Sequence, residues 1–368
     1  MEISLKESAI VRPAQQTGRK SLWNSNLDLL ITRYHVPLVY YYKPNGSCDF
    51  FDTGKLKEAL SNILVSFYPI AGRFGYDENG RLEISCNDEG VLFVEAQTLS
   101  AMDHLIGDFI DNSQVLRLVP EVDYSGGISS YSLLVLQVTK FKCGGVCLGV
   151  GQHTLGDATS VRHFINSWAD TTRGLSPAVA PFINRTLLRA RVPPMPKFHH
   201  VEYDPSPPLK TMVSHSDDLQ PSIVSTFKLT VDQLNLLKSK AGANNGTKYS
   251  TFNILAAHIW RCVSKVRGLS DDQPTKIYIP VDGRSKLSPP LPAGYFGNAI
   301  FITALITQAG DLKTESFTDT IKRIHERLDQ INDEYLRSAL HYTETLSDLS
   351  SLVRGSHTFR SPNLSINT

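Results

Sequence analysis

Two residues in this chain have the types and the spacing to move a proton. His153 and Asp157 stand four residues apart in Gly151-Gln-His-Thr-Leu-Gly-Asp-Ala-Thr-Ser160. Imidazole titrates nearest to working pH, so a neutral His is the usual general base. A carboxylate close by can orient that imidazole, as in triads, or cap a helix. The H-x-x-x-D spacing also arises by chance, and a lone His is more often a structural residue, so spacing alone does not decide. Cys143 and Cys147 lie just upstream, but nothing pairs either thiol as an activated nucleophile, and both read as packing residues. No G-x-S-x-G elbow occurs, which disfavours a Ser-His-Asp hydrolase.

The elements around the pair are legible. Val146 to Val150 is a short apolar run suited to a buried strand. Val161, Phe164, Ile165, Trp168 and Ala169 then recur at helical spacing, with Asp157, Thr159 and Ser160 as cap-type residues ahead of them. His153 therefore sits where a strand hands over to a helix, the place where α/β sheets put their chemistry.

The chain has 368 residues, 41% of them hydrophobic, enough for two domains. Its 37 basic and 36 acidic residues leave a formal charge of +1, so no global field draws in nucleic acid or a membrane. The N-terminus lacks a signal-peptide core and no run is long enough to span a bilayer, which predicts a cytosolic protein. Cys48, Cys86, Cys143, Cys147 and Cys262 are an odd count without zinc-ligand spacing, predicting reduced, mostly buried thiols and no metal.

In chain order, Leu38–Tyr42 predicts a strand, and the stripe Leu56, Ala59, Leu60, Ile63, Leu64 a helix ended by Tyr68-Pro-Ile-Ala-Gly-Arg73. Strands follow at Leu82–Ile84 and Val91–Val94, joined by a turn, and Ser132–Val138 pairs with the strand leading to His153. Proline-rich sequence from Pro177 to Pro221 predicts a long, partly extended crossover with no packed element. Beyond it come a strand at Ile223–Leu229, helices at Val231–Ala241 and Ser250–Val266, strands at Lys276–Pro280 and Ala299–Ile306, and one long helix over Phe317–Leu340. The predicted partition is 1–180, a linker over 181–221, and 222–368, with an interface available as a ligand site.

Several motifs together carry a family resemblance over nearly the whole chain. Val11-Arg-Pro-Ala14, Leu22-Trp-Asn-Ser-Asn-Leu-Asp28, Tyr68-Pro-Ile-Ala-Gly-Arg73, Val122-Asp-Tyr-Ser-Gly-Gly-Ile-Ser-Ser130 and Phe141-Lys-Cys-Gly-Gly145 resemble plant BAHD acyltransferases. So do His153-x-x-x-Asp157, Asp282-Gly-Arg284 and Gly294-Tyr-Phe-Gly-Asn298. Within that family the chain looks most like the hydroxycinnamoyl-CoA:shikimate or quinate hydroxycinnamoyltransferases. The resemblance implies an α/β fold of two chloramphenicol-acetyltransferase-like domains with mixed sheets, joined by the crossover, and an active-site channel at their interface. It also implies a monomer that takes an acyl-CoA co-substrate and an alcohol acceptor, with no bound cofactor, nucleic acid or membrane.

The resemblance assigns roles residue by residue. His153 becomes the general base for the acceptor hydroxyl. Asp157 either orients it or pairs with Arg284. Coenzyme A is expected at Ser250, Thr251 and Tyr295, a helix N-terminus being a suitable phosphate site, although Ser250 and Thr251 read equally well as helix caps. Arg354 is expected to grip an acceptor carboxylate, since a guanidinium holds one through two hydrogen bonds. Tyr40, Leu38 and Asn367 correspond to acceptor-pocket positions.

The chain departs from the family pattern at several of these positions. Ala158 follows the motif Asp where Gly is usual, and Gln152 stands where a second His is typical. Leu38 replaces a Ser, and Asn367 a Thr. The family's Asp-Phe-Gly-Trp-Gly motif does not occur before Thr368, which gives a competing expectation: a truncated, inactive homologue that binds ligands or partners.

Overall fold

The computed structural model describes residues 1–31, 34–105, 112–153, 155–210, 223–242, 248–353 and 355–367. The chain forms two compact units. The first comprises Met1–Arg189 together with Pro292–Ala299, and the second Ala190–Leu291 with Ile300–Thr368. The first division thus falls at Arg189, where 180 and 221 had bounded the predicted linker, and one later segment returns to the first unit.

The first unit runs β1 (Ser4–Val11), β2 (Lys20–Trp23), α1 (Asn26–Leu29), β3 (Val36–Tyr42), α2 (Thr53–Ser66), β4 (Arg73–Tyr76), β5 (Leu82–Cys86), β6 (Val91–Thr98), α3 (Asn112–Val115), β7 (Leu134–Phe141), β8 (Val146–Gln152) and α4 (Ala158–Thr172). Its main sheet has the order β1-β6-β7-β8-β3, in which only β6 and β7 run parallel. Seven of the eight residues of β7 and all seven of β8 are buried, which explains their near-continuous apolar runs: strands covered on both faces do not alternate. On one face Leu134, Leu136, Val138, Leu148 and Val150 pack with Leu60, Leu64, Phe164 and Trp168 of α2 and α4. The Trp168 indole N–H also donates to Leu56 O at 3.0 Å, tying the two helices together. On the other face Phe141 and Cys147 pack with Met102, Leu105 and Leu118.

A second sheet, β2-β5-β4, is antiparallel. The strands predicted on either side of the Cys86–Gly90 turn therefore belong to different sheets: β5 pairs with β2 and β4, whereas β6 pairs with β1 and β7.

The second unit runs α5 (Val231–Ala241), α6 (Thr251–Val266), β9 (Pro274–Asp282), β10 (Ile300–Gln308), α7 (Ala309–Thr314), α8 (Phe317–Asp329), α9 (Asp333–Glu344) and β11 (Leu364–Ser365). Its sheet, β10-β9-β11, is also mixed. Trp260, Ile277, Ile279, Ile321 and Ile324 form its core.

Three sequence expectations are corrected here. The Phe317–Leu340 helix is two helices, because Asn332 interrupts it: its backbone is extended and its side chain accepts from Tyr335 N–H, capping α9. Ile223–Leu229 forms no strand; Ile223 is 91% and Phe227 88% exposed, with no strand paired alongside. The predicted linker is packed in places: Arg185 and Leu188 are buried in the first unit, and His200 and Glu202 in the second. Among the described residues no helix is long and apolar enough to cross a membrane.

Candidate active site

The β7–β8 ladder does not stop at Gln152. His153 N–H donates to Leu133 O at 2.9 Å, so the ladder's last hydrogen bond fixes the backbone of the candidate base. The imidazole is 2% exposed and packs among rings: Phe74 at 4.9 Å and His35 at 5.4 Å meet it edge-on, and Tyr131 stacks at 5.6 Å. Sequence reasoning missed these three neighbours, since no spacing links them to His153.

His35 is itself tightly specified. Its Nε2 lies 2.8 Å from Ser132 O, which can only accept, so Nε2 carries the proton. Its Nδ1 then accepts from the Tyr124 hydroxyl at 2.9 Å, while that oxygen accepts the His35 backbone N–H at 3.0 Å. Burial holds the His35 pKa below its ordinary value, against the opposing Ser132 hydrogen bond, and favours this neutral tautomer.

Asp157 caps α4 as its type and position predict. Its Oδ1 accepts Ser160 N–H at 3.0 Å and its Oδ2 accepts Ala299 N–H at 2.9 Å. The segment Pro292–Ala299 lies against this cap. Ser160 Oγ donates to Gly297 O at 2.8 Å, and Gly156 leaves no room for a Cβ, which would meet Ser160 Cβ at 2.7 Å. Asn298 N–H donates to Asp28 Oδ1 at 3.0 Å, and Asn298 Nδ2 to Leu27 O at 2.7 Å. The Gly294–Asn298 motif and the Asn24–Asp28 motif are therefore neighbours around one loop.

The other expected residues lie on several elements. Leu38 and Tyr40 share one face of β3 and pack on the first unit's core, and burial raises the Tyr40 pKa while Arg162 opposes the rise. Tyr295, expected to contact coenzyme A, is 2% exposed and belongs to the first unit, where its ring lies against Gly297. Ser250 caps α6, accepting from Asn253 N–H at 3.1 Å and donating to Asn253 Oδ1 at 2.6 Å, with Thr251 first in that helix. Arg284 belongs to the second unit, where its Nη1 lies 3.2 Å from Asp282 Oδ1. Asn367 is exposed, and Arg354 lies outside the described residues.

Three thiols expected to be mostly buried are exposed, namely Cys48, Cys143 and Cys262. Cys143 is not a packing residue, because it sits in the tight turn between β7 and β8. Cys147 is one, as expected, and burial pushes its pKa to about 12.

Comparison with known proteins agrees with this architecture. A family model described as "Transferase family" matches residues 1–362. A shikimate O-hydroxycinnamoyltransferase of Nicotiana tabacum is 52% identical over 371 residues, covering 100% of this chain and 85% of the relative. A hydroxycinnamoyl-CoA:5-hydroxyanthranilate N-hydroxycinnamoyltransferase of Avena sativa is 50% identical over 381 residues, with the same coverage. The crystal structure of vinorine synthase superposes with a TM-score of 0.71 at 23% identity, covering 100% of this chain and 83% of that one. The chain belongs to this Transferase family, the BAHD acyltransferases, enzymes that move an acyl group from coenzyme A to an acceptor.

Proposed function

We propose that the chain transfers a hydroxycinnamoyl group, such as p-coumaroyl or caffeoyl, from coenzyme A to the hydroxyl of a small acidic acceptor of the shikimate or quinate kind. Both relatives described above carry hydroxycinnamoyl transfer in their names, and both named acceptors, shikimate and 5-hydroxyanthranilate, bear a carboxylate. His153 is the general base. The neutral imidazole takes the acceptor's proton as its oxygen attacks the thioester carbonyl. Collapse of the tetrahedral intermediate breaks the C–S bond, and the thiolate leaves with the proton that the imidazolium returns. Asp157 holds the loop, and no covalent enzyme intermediate is needed. Arg354 would receive the acceptor carboxylate, and the α6 N-terminus at Ser250 and Thr251 the phosphates of coenzyme A.

The observation that carries this reading is the placement of His153: backbone pinned by the last bond of the β7–β8 ladder, and ring buried among aromatic neighbours. A base shielded from bulk water favours transfer over thioester hydrolysis. The test is an assay with p-coumaroyl-CoA and a panel of shikimate, quinate and 5-hydroxyanthranilate, with His153→Ala in parallel. The variant is expected to keep its circular dichroism and lose on the order of 10²–10⁴-fold in kcat. Near-normal turnover by the variant removes His153 from the chemistry.

A further inference from the structure

Between His153 and Asp157 the chain crosses from β8 to α4, and both ends of this crossing are fixed by bonds already described. Its middle is fixed too, by a side chain with no part in the reaction as derived so far. Arg185 Nη2 donates to Leu155 O at 2.5 Å. The arginine side chain is 0% exposed, as is that of its ion-pair partner Asp28, whose Oδ1 lies 3.4 Å from Arg185 Nη1. Nη1 also donates to Asn24 Oδ1 at 2.6 Å. Asp28 is saturated in turn: Oδ2 accepts from Ser25 N–H at 2.8 Å and Ser25 Oγ at 2.6 Å, and Oδ1 accepts from Asn298 N–H at 3.0 Å.

A buried ion pair is a poor device for stability alone. Removing two charges from water offsets most of their attraction, and apolar side chains of similar volume often serve as well or better. What such a pair does supply is direction. A guanidinium is a planar fork, and here its two ends are committed to different partners, Asn24 and Asp28 at Nη1 and the Leu155 carbonyl at Nη2. That geometry ties the carbonyl two residues past His153 to a rigid platform built from the Asn24–Asp28 segment. A lysine ammonium, a point charge on a flexible stem, cannot reproduce it.

We propose that Arg185, held by Asp28 and Asn24, is a positioning residue for His153: it sets the crossing from β8 to α4, and through it the placement of the imidazole against the acceptor. This rests on the reading of His153 as the base. Misplacing a reacting group by about 1 Å costs on the order of 10²-fold in rate. Arg185→Lys is therefore expected to lower kcat by a factor approaching that, with KM for the acyl-CoA unchanged, as follows when an interaction realised only in the transition state is lost.

The experiment measures kcat and KM for wild type, Arg185→Lys, Asn24→Ala, His153→Ala and the Arg185→Lys/His153→Ala double variant. All assays run well below each variant's thermal midpoint and are normalised to folded protein by circular dichroism. Asn24→Ala keeps both members of the ion pair, so it supplies the comparison if Arg185→Lys does not fold; its expected loss is smaller and also confined to kcat. If Arg185 acts through His153, adding Arg185→Lys to His153→Ala produces little further loss. A purely structural arginine would instead lower both backgrounds by the same factor, or raise KM along with lowering kcat. Folded Arg185→Lys and Asn24→Ala at wild-type kcat, beside an inactive His153→Ala, would overturn this inference alone. A fully active His153→Ala would instead overturn the assignment of the base.

Discussion

The carboxylate of Asp157 serves two amide N–H groups at once, one on each oxygen: Ser160 stands 3 residues from it in sequence and Ala299 142. Cap chemistry and spacing made the first bond legible from Asp157 and Ser160 alone, whereas nothing local to Asp157 announces Ala299. The cysteines show the same limit. Their number was plain from the sequence, but their environments were not, because exposure is decided by which turn or sheet face each occupies. Cys143, exposed in the β7–β8 turn, has its pKa lowered mainly by a hydrogen bond from the backbone of Met102 and next by one from Gly145, whereas burial raises Cys86 to about 11 and Cys147 to about 12. The thiolate is the nucleophile, so a lowered pKa means more of it at neutral pH, and the advantage fades as pH rises through the ordinary thiol range near 8.5. Brief iodoacetamide treatment of the folded protein at about pH 7, followed by peptide mass spectrometry, should label Cys143 and leave Cys86 and Cys147 unmodified until denaturant is added. Labelling of Cys147 in step with Cys143 would contradict the burial that raises the Cys86 and Cys147 pKa values.

At the scale of elements, β8 is shaped by what each of its faces must touch. Val146, Leu148 and Val150 meet the helices, while Gly149 faces the segment that packs Leu118 onto the sheet. A Cβ at Gly149 would stand 1.7 Å from Leu118 O, a backbone atom that cannot step aside. Gly149→Ala should therefore lower stability by about 1–3 kcal/mol or more, as overpacking does, and should reduce turnover because the strand ends at His153. Gly75→Ala in β4, with nothing within 4 Å of the new Cβ, is the control. Urea midpoints for the two variants decide the matter, equal shifts counting against the close approach. Elements such as β8, α2, α4 and α6 were readable because their apolar pattern records the face they bury. Ile223–Leu229 misled for the same reason: alternation expresses a capacity to pair, and pairing also needs a neighbouring edge. The α8–α9 break was hidden because the apolar stripe continues past Asn332, whose capping geometry outweighs the periodicity.

For the whole molecule the decisive feature is that the first unit is not continuous in sequence. Pro292–Ala299 lies beyond more than half of the second unit yet belongs to the first, where Phe296 is 1% exposed in the core with Phe67, Phe164 and Trp168. The motif Gly294-Tyr-Phe-Gly-Asn298 was conspicuous in the sequence, but its partners were not, since Phe182, Asp28 and Ser160 share no period with it. Gly294 shows how closely it is seated: a Cβ there would meet Ala180 O at 2.0 Å, and the neighbouring backbone bonds run Phe182 N–H to Gly294 O at 2.7 Å and Phe296 N–H to Phe182 O at 2.9 Å. A cavity at Phe296 should consequently weaken the unit that surrounds the side chain, not the unit that flanks it in sequence. Phe296→Ala is expected to remove about 3–5 kcal/mol from the first unit. Amide hydrogen exchange should then quicken along β7, β8 and α4, while the β9–β10 ladder keeps its protection, because local opening follows the cooperative unit to which a residue belongs. Faster exchange confined to β9 and β10 would mean that Phe296 stabilises the second unit and that the segment opens with that unit.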